Sequence, residues 1–224
     1  MPFADRLLTF LTTFPAPTDL PVGVAAANPY IVDPSRALLT AFAQKFYADN
    51  RPRVAVLGIN PGRFGGGTTG IAFTDPVALA DHCGIPSALP RRREMSSEFV
   101  YQFIGALGGP AAFYEHFYLG SVYPQVLLKE GLNHNYYDSP ALLRTLWPQL
   151  LDSLQQQAAI GFRSDVVVSL GRRNAQFLRR LNQEAKLFDD IIELDHPRFI
   201  MQYKRRALAE YVAQYVAVLG RLVA

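Results

Sequence analysis

Apolar residues follow two spacings along this chain. Four stretches are apolar runs of strand length: residues 54–57 (VAVL), 118–124 (YLGSVYP), 165–170 (DVVVSL) and 191–194 (IIEL). The most continuous of them, rich in Val, read as strands covered on both faces. Between them the spacing is helical. Phe3, Leu7, Phe10, Leu11 and Phe14 share one face of an N-terminal docking helix, with Asp5 opposite. Asp33 is placed to cap a helix that has Pro34 at its first position and runs to about Tyr47. Ser96 or Ser97 is placed to cap a helix over 98–107, which stops at Gly108-Gly109. A short helix over 113–117 follows. A long one from Pro140 to Ala159 is interrupted or kinked at Pro148. Further helices are expected over 172–183, after Gly171, and over 203–223.

Strands therefore alternate with helices, which implies parallel pairing and helices on both faces of the sheet. The expected fold is a single α/β domain over residues 1–224, a three-layer α/β/α sandwich with a central four-stranded parallel sheet. Residues 1–50 form a helical extension packed on it. Residues 15–33, rich in Pro, Ala and Asp, read as an extended connector. Asn28-Pro29-Tyr30 within it is either a turn or a segment packed beside the functional face. Residues 75–92 read as irregular.

Composition narrows the picture modestly. The 224 residues are half hydrophobic, and the formal net charge is +3, which permits a nucleic-acid partner without requiring one. A single cysteine, Cys83, excludes a disulfide framework and a Cys-ligated iron–sulfur cluster. His82, His116, His134 and His196 show no metal-ligand spacing, so neither metal nor cofactor is expected. No run is long enough to span a membrane, and the first helix is too short and too interrupted for a signal peptide. A cytoplasmic monomer is expected.

The candidate chemistry gathers at 54–76, VAVLGINPGRFGGGTTGIAFTDP. A buried strand breaks at Gly58 and passes through Asn60-Pro61-Gly62 into Gly65-Gly66-Gly67. This puts a glycine-rich loop at the carboxyl edge of the sheet, where open α/β folds bind ligands. The loop lacks the Gly-Lys-Ser/Thr of a phosphate-binding P-loop and the directly helix-opening Gly-x-Gly-x-x-Gly of a dinucleotide site. By itself it is equally consistent with a tight loop that binds nothing. Arg91, Arg92 and Arg93 are either a solvated run or a phosphate-contacting patch. The loop KEGLNHNYYDSP, dense in Asn and Tyr, is either base-contacting or ordinary surface.

GINPGRFGGGTTGIAF resembles the first motif of the single-strand-selective monofunctional uracil-DNA glycosylases, within the uracil-DNA glycosylase superfamily. The late segment IIELDHPRFIMQYKRR resembles their second motif, His-Pro after a strand. The resemblance covers the chain from about residue 50 to its end and is nearest a bacterial branch sometimes called the second type. It implies the same three-layer architecture and hydrolysis of the N-glycosidic bond of uracil in DNA, without cofactor.

The resemblance also implies roles. Asn60 positions the water, and His196 stabilises the departing base through a ring N–H. The base stacks on Phe73, with Gly58, Ile59, Pro61, Gly62, Phe64 and Ser121 around it. Gly66, Gly67, Arg198, Phe199, Lys204 and Arg205 contact the DNA. Two departures stand out. Ser121 occupies the place of an Asn that reads the pyrimidine edge, so a deaminated purine such as xanthine becomes a candidate substrate. The usual continuation after His-Pro is absent, which leaves Arg198 and Phe199 as alternatives for the DNA-penetrating wedge. Two other functions fit the same residues: a fold that binds nucleic acid without cleaving it, and an enzyme that processes free nucleotides.

Overall fold

The computed structural model describes residues 1–223. In chain order its elements are α1 (Phe3–Thr13), β1 (Val24–Ala27), α2 (Ser35–Phe46), β2 (Arg53–Gly58), α3 (Gly66–Thr69), α4 (Pro76–Asp81), α5 (Met95–Ala106), α6 (Gly109–His116) and β3 (Phe117–Ser121). Then come β4 (Val126–Lys129), β5 (Leu132–Asn133), α7 (Pro140–Ala159), β6 (Phe162–Leu170), α8 (Arg172–Ala185), β7 (Asp190–Leu194), α9 (Pro197–Tyr203) and α10 (Leu208–Arg221).

The central sheet has four parallel strands in the order β3-β2-β6-β7, as the alternation of strands and helices requires. Every residue of β2 and β3 is buried, which explains their unbroken apolar character. The chain leaves β2 for β3 on one side and later returns to β6 on the other. The carboxyl end of β2 is thus a switch point, where neighbouring connections diverge and leave a crevice. Asn60 stands just beyond it.

The first helix docks as its apolar stripe predicts. Phe3, Leu7, Phe10 and Leu11 are buried, and the Phe3 ring packs on Tyr47, Tyr118 and Phe162. Beneath it Arg53 is fully buried. Its guanidinium lies 4.7 Å from the Phe3 ring centre and 4.9 Å from that of Tyr47. It donates to the carbonyls of Tyr114, Arg51 and Phe46 and pairs with Asp49 at 2.9 Å. A buried cation is tolerated only when satisfied in this way.

Several local expectations are corrected. Residues 15–33 are not wholly extended connector: β1 joins β4 and β5 in a second, antiparallel sheet. Of the two readings of Asn28-Pro29-Tyr30 the turn is found, as a 3₁₀ turn over Pro29–Ile31 with the Asn28 side chain accepting from the Tyr30 amide. Asp33 does not cap α2; it pairs with Arg36 at 2.9 Å. Residues 75–92 contain α4, whose true cap is Asp75, accepting from the amides of Val77 and Ala78. Helix α5 begins at Met95, so Ser96 and Ser97 lie inside it and Glu94 is its first flanking residue. The expected final helix over 203–223 begins later, as α10 at Leu208: Tyr203 ends α9 instead, and a 3₁₀ turn at Arg205–Ala207 separates the two. Pro148 lies within α7, which is continuous through it.

Candidate active site

Beyond the carboxyl ends of β2, β3 and β7 lies a cavity of about 410 Å³. Asn60 comes from the end of β2, Ser121 from the end of β3, and His196 from just past β7. Ile59, Pro61, Gly62, Gly66 and Phe73 line it from the glycine-rich loop. The two motifs, more than a hundred residues apart in sequence, meet because β6 alone separates their strands.

The Asn60 amide is held rigidly. Its Nδ2 donates to the His134 carbonyl at 3.0 Å, and its Oδ1 accepts from the Tyr136 amide at 3.2 Å. These bonds fix which end of the amide is which. Tyr136 is tied in turn: its hydroxyl donates to Asn174 Oδ1 at 2.8 Å. The Asn174 amide donates to the carbonyls of Leu57 and Gly58. The loop that orients Asn60 is thereby anchored to the strand that carries it.

His196 is the N-cap of α9. Its Nδ1 accepts from the Arg198 amide at 3.1 Å. That bond requires Nδ1 to be unprotonated, so in the neutral ring the hydrogen is on Nε2. Burial, reinforced by the neighbouring Arg198 guanidinium, pushes the imidazole pKa down to about 4. The ring is therefore a neutral N–H donor throughout the physiological range.

Phe73 faces it, the two ring centres 5.6 Å apart. Phe73 has φ +52°, a left-handed conformation rare for an aromatic residue. Such strain gathers at sites where surrounding structure dictates one side-chain position. Gly58 lies behind it: a Cβ there would meet the Phe73 ring at 2.5 Å. Gly58 therefore seats the ring from below and does not itself line the cavity.

A second, larger groove of about 730 Å³ adjoins the cavity. Phe64 belongs here and not to the cavity, its ring covered by Arg92 at 3.8 Å and Arg63 at 4.6 Å. Of the arginine run, Arg92 and Arg93 line this groove, whereas Arg91 pairs with Asp81. Glu94, Ser96, Asn133 and Arg198 line both spaces and form the passage between them.

The remaining residues expected to contact DNA divide. Arg198 and Phe199 line the cavity, and Phe199 packs its exposed ring on exposed Tyr203 at 5.4 Å. Lys204 and Arg205 line neither space; Arg205 turns toward Glu98 at 3.6 Å. Gly67 serves the loop itself, its amide donating to the Gly62 carbonyl at 2.9 Å. Sequence reasoning did not single out Glu94, Asn133, Asn135 or Tyr203. The Asn- and Tyr-dense loop held the only signal for two of them. At Gly62 the Asn133 amide lies 3.1 Å from where a Cβ would stand.

Comparisons with known proteins agree with this geometry. A family model for the uracil DNA glycosylase superfamily matches residues 44–220. The single-strand selective monofunctional uracil-DNA glycosylase of Rattus norvegicus is 30% identical over 182 residues, covering 71% of this chain and 63% of that protein. Its Mus musculus counterpart is 29% identical, covering 71% and 62%. The chain thus spans slightly less than two thirds of the length of these curated relatives. The crystal structure of wild-type SMUG2 from Pedobacter heparinus superposes with a TM-score of 0.95 at 37% identity, covering 99% of this chain and 98% of that one. With the matched region spanning most of its length, including both motifs and all four strands of the parallel sheet, the chain belongs to the uracil DNA glycosylase superfamily.

Proposed function

We propose that this protein is a monofunctional DNA glycosylase that hydrolyses the N-glycosidic bond of uracil in DNA. The observation that carries this reading is the meeting of Asn60 and His196 in one cavity, the imidazole held as a neutral Nε2–H donor. Breaking the bond leaves the base as an anion and the sugar cation-like. A fixed N–H donor aimed at the developing charge stabilises the transition state more than the ground state. Asn60 lacks basicity, so it orients water and does not deprotonate it. Among the described residues no lysine lines the cavity or the groove, which suits hydrolysis by water over attack by an amine.

The base must leave the DNA stack to enter. Extrusion costs a few kcal/mol, least from a single strand. Stacking on Phe73 offsets about 1–3 kcal/mol of this. Phe199, backed by Tyr203, fills the vacated position, and the phosphates follow Arg63, Arg92, Arg93 and Arg198. Ser121 replaces a bidentate amide by a rotating hydroxyl, so xanthine is accepted beside uracil.

The test uses single- and double-stranded oligonucleotides bearing uracil, hypoxanthine or xanthine, with abasic sites revealed by alkali. Wild-type protein is expected to produce them from uracil, and His196→Ala to slow single-turnover cleavage by about 10²–10³. A His196→Ala protein as fast as wild type would refute the assignment.

A further inference from the structure

Glu94 lies in the passage between cavity and groove, and it is the only carboxylate that lines either space among the described residues. Its backbone is fixed: the amide donates to Asp75 Oδ2 at 2.8 Å, while Asp75 Oδ1 caps α4. Its side chain is seated against Gly65, whose missing Cβ would otherwise overlap the carboxylate. Gly65 has φ +64°, a conformation that suits glycine, so the backbone there is shaped to admit the group. No hydrogen bond or ion pair engages the carboxylate among the described residues, although Arg198 lines the passage with it and Arg92 lines the adjoining groove.

The site calls for an anion here. With the base in the cavity and the phosphates in the groove, the connecting sugar occupies the passage. The sugar becomes positive in the transition state, and Asn60 offers no charge to balance it. We propose that Glu94 is a further catalytic residue of this reaction, the carboxylate that holds the attacking water and balances the cationic sugar. The inference rests on the glycosylase reading. As the C1′–N bond breaks, its electron pair goes to the base, whose charge His196 stabilises. The water oxygen forms the new C1′–O bond, and its proton passes to Glu94 and then to the departed base or to solvent.

The electrostatics suit the task. Burial, assisted by Asp75 and opposed by Arg198 and Arg92, raises the carboxyl pKa to about 7. Arg63 and Arg93 from the groove, and His134, His196 and Tyr203 from the cavity, are the other titratable groups around it. A carboxyl raised in the folded state stabilises the fold at low pH and loses that contribution as pH rises through about 7. Above that pH its charge costs stability, and glutamine removes the cost.

The experiment compares wild type, Glu94→Gln and Glu94→Asp in single-turnover cleavage of uracil-containing single strands from about pH 5.5 to about pH 9. Affinity for a tetrahydrofuran-containing strand and thermal melting are measured alongside. The wild-type rate is expected to rise through about pH 7 and level off. Glu94→Gln should be slower at pH 8 by about 10², flat with pH, unchanged in affinity within about twofold, and higher in Tm at pH 8. Glu94→Asp should keep a rising limb. A Glu94→Gln protein as fast as wild type, or faster with tighter binding, overturns the proposal and makes the carboxylate only a repeller of phosphate. A rising limb retained in Glu94→Gln also overturns it, by assigning the titration to another group. Wild-type protein that forms no abasic sites would instead defeat the glycosylase reading itself.

Discussion

Gly58→Ala tests whether the Phe73 ring is positioned by the strand beneath it. The new methyl would lie 2.5 Å from Cζ and 2.8 Å from Cε2 of that ring. Non-bonded carbons settle at about 3.5–4.0 Å, so the ring must retreat by about 1 Å. The Phe73 backbone, already left-handed, has little room to absorb the shift. The retreat therefore carries the ring into the cavity, toward His196. A displacement of this size in a positioning group costs about 10² in rate. Overpacking costs about 1–3 kcal/mol, or about 2–12 °C in Tm for a domain of this size. The assay is single-turnover cleavage of a uracil-containing single strand, with melting in parallel. A double-mutant cycle isolates the contact: in a Phe73→Leu background, which has no ring to strike, Gly58→Ala should cost much less than in wild type. Equal costs in the two backgrounds would refute the argument, because Gly58 would then be acting through something other than Phe73.

The other predictions concern specificity and charge. Ser121→Asn should raise the ratio of uracil to xanthine cleavage, measured as single-turnover rates on matched strands; an unchanged ratio would mean that Ser121 does not read the base. Arg92→Gln with Arg93→Gln should flatten the salt dependence of single-strand binding by about 1.4 in log–log slope, at about 0.7 per phosphate contact. Neutralising Lys204, Arg205 and Arg206 together should change it by less than about 0.7, since Lys204 and Arg205 line neither cavity nor groove and Arg205 faces Glu98. The opposite ranking would place the DNA over the end of α9.

What could be read from the sequence was local in origin. The strands 54–57 and 165–170 announce themselves because both their faces are covered, and the stretch from Gly58 to Gly67 announces a loop because its glycines and Pro61 interrupt any regular element. Asn60, Phe73 and His196 stand inside or beside such segments, so their convergence followed from the fold. The antiparallel sheet could not be read: Ala25-Ala26-Ala27 has no β-branched signal and becomes a strand by pairing with β4, about a hundred residues away. Asp75-Pro76 fits a turn and a helix start equally well, and only its amide partners decide for the helix. The break between α9 and α10 has neither Gly nor Pro to mark it. Glu94 and Asn133 are ordinary polar residues in sequence. Their place at the passage comes from Asp75 fixing one and the β4–β5 hairpin presenting the other.

The buried guanidinium of Arg53 makes the first helix more than a cover. Its charge is satisfied from below by carbonyls and Asp49, and sealed from above by the rings of Phe3 and Tyr47. Detaching residues 1–14 would admit water to an ion on β2, the strand that ends at Gly58 and leads to Asn60. Local fraying of the N-terminus is then energetically linked to the heart of the sheet. Amide hydrogens of α1 and β2 should consequently exchange with one common opening free energy, although the two segments lie forty residues apart and only one of them falls within the region that the superfamily shares.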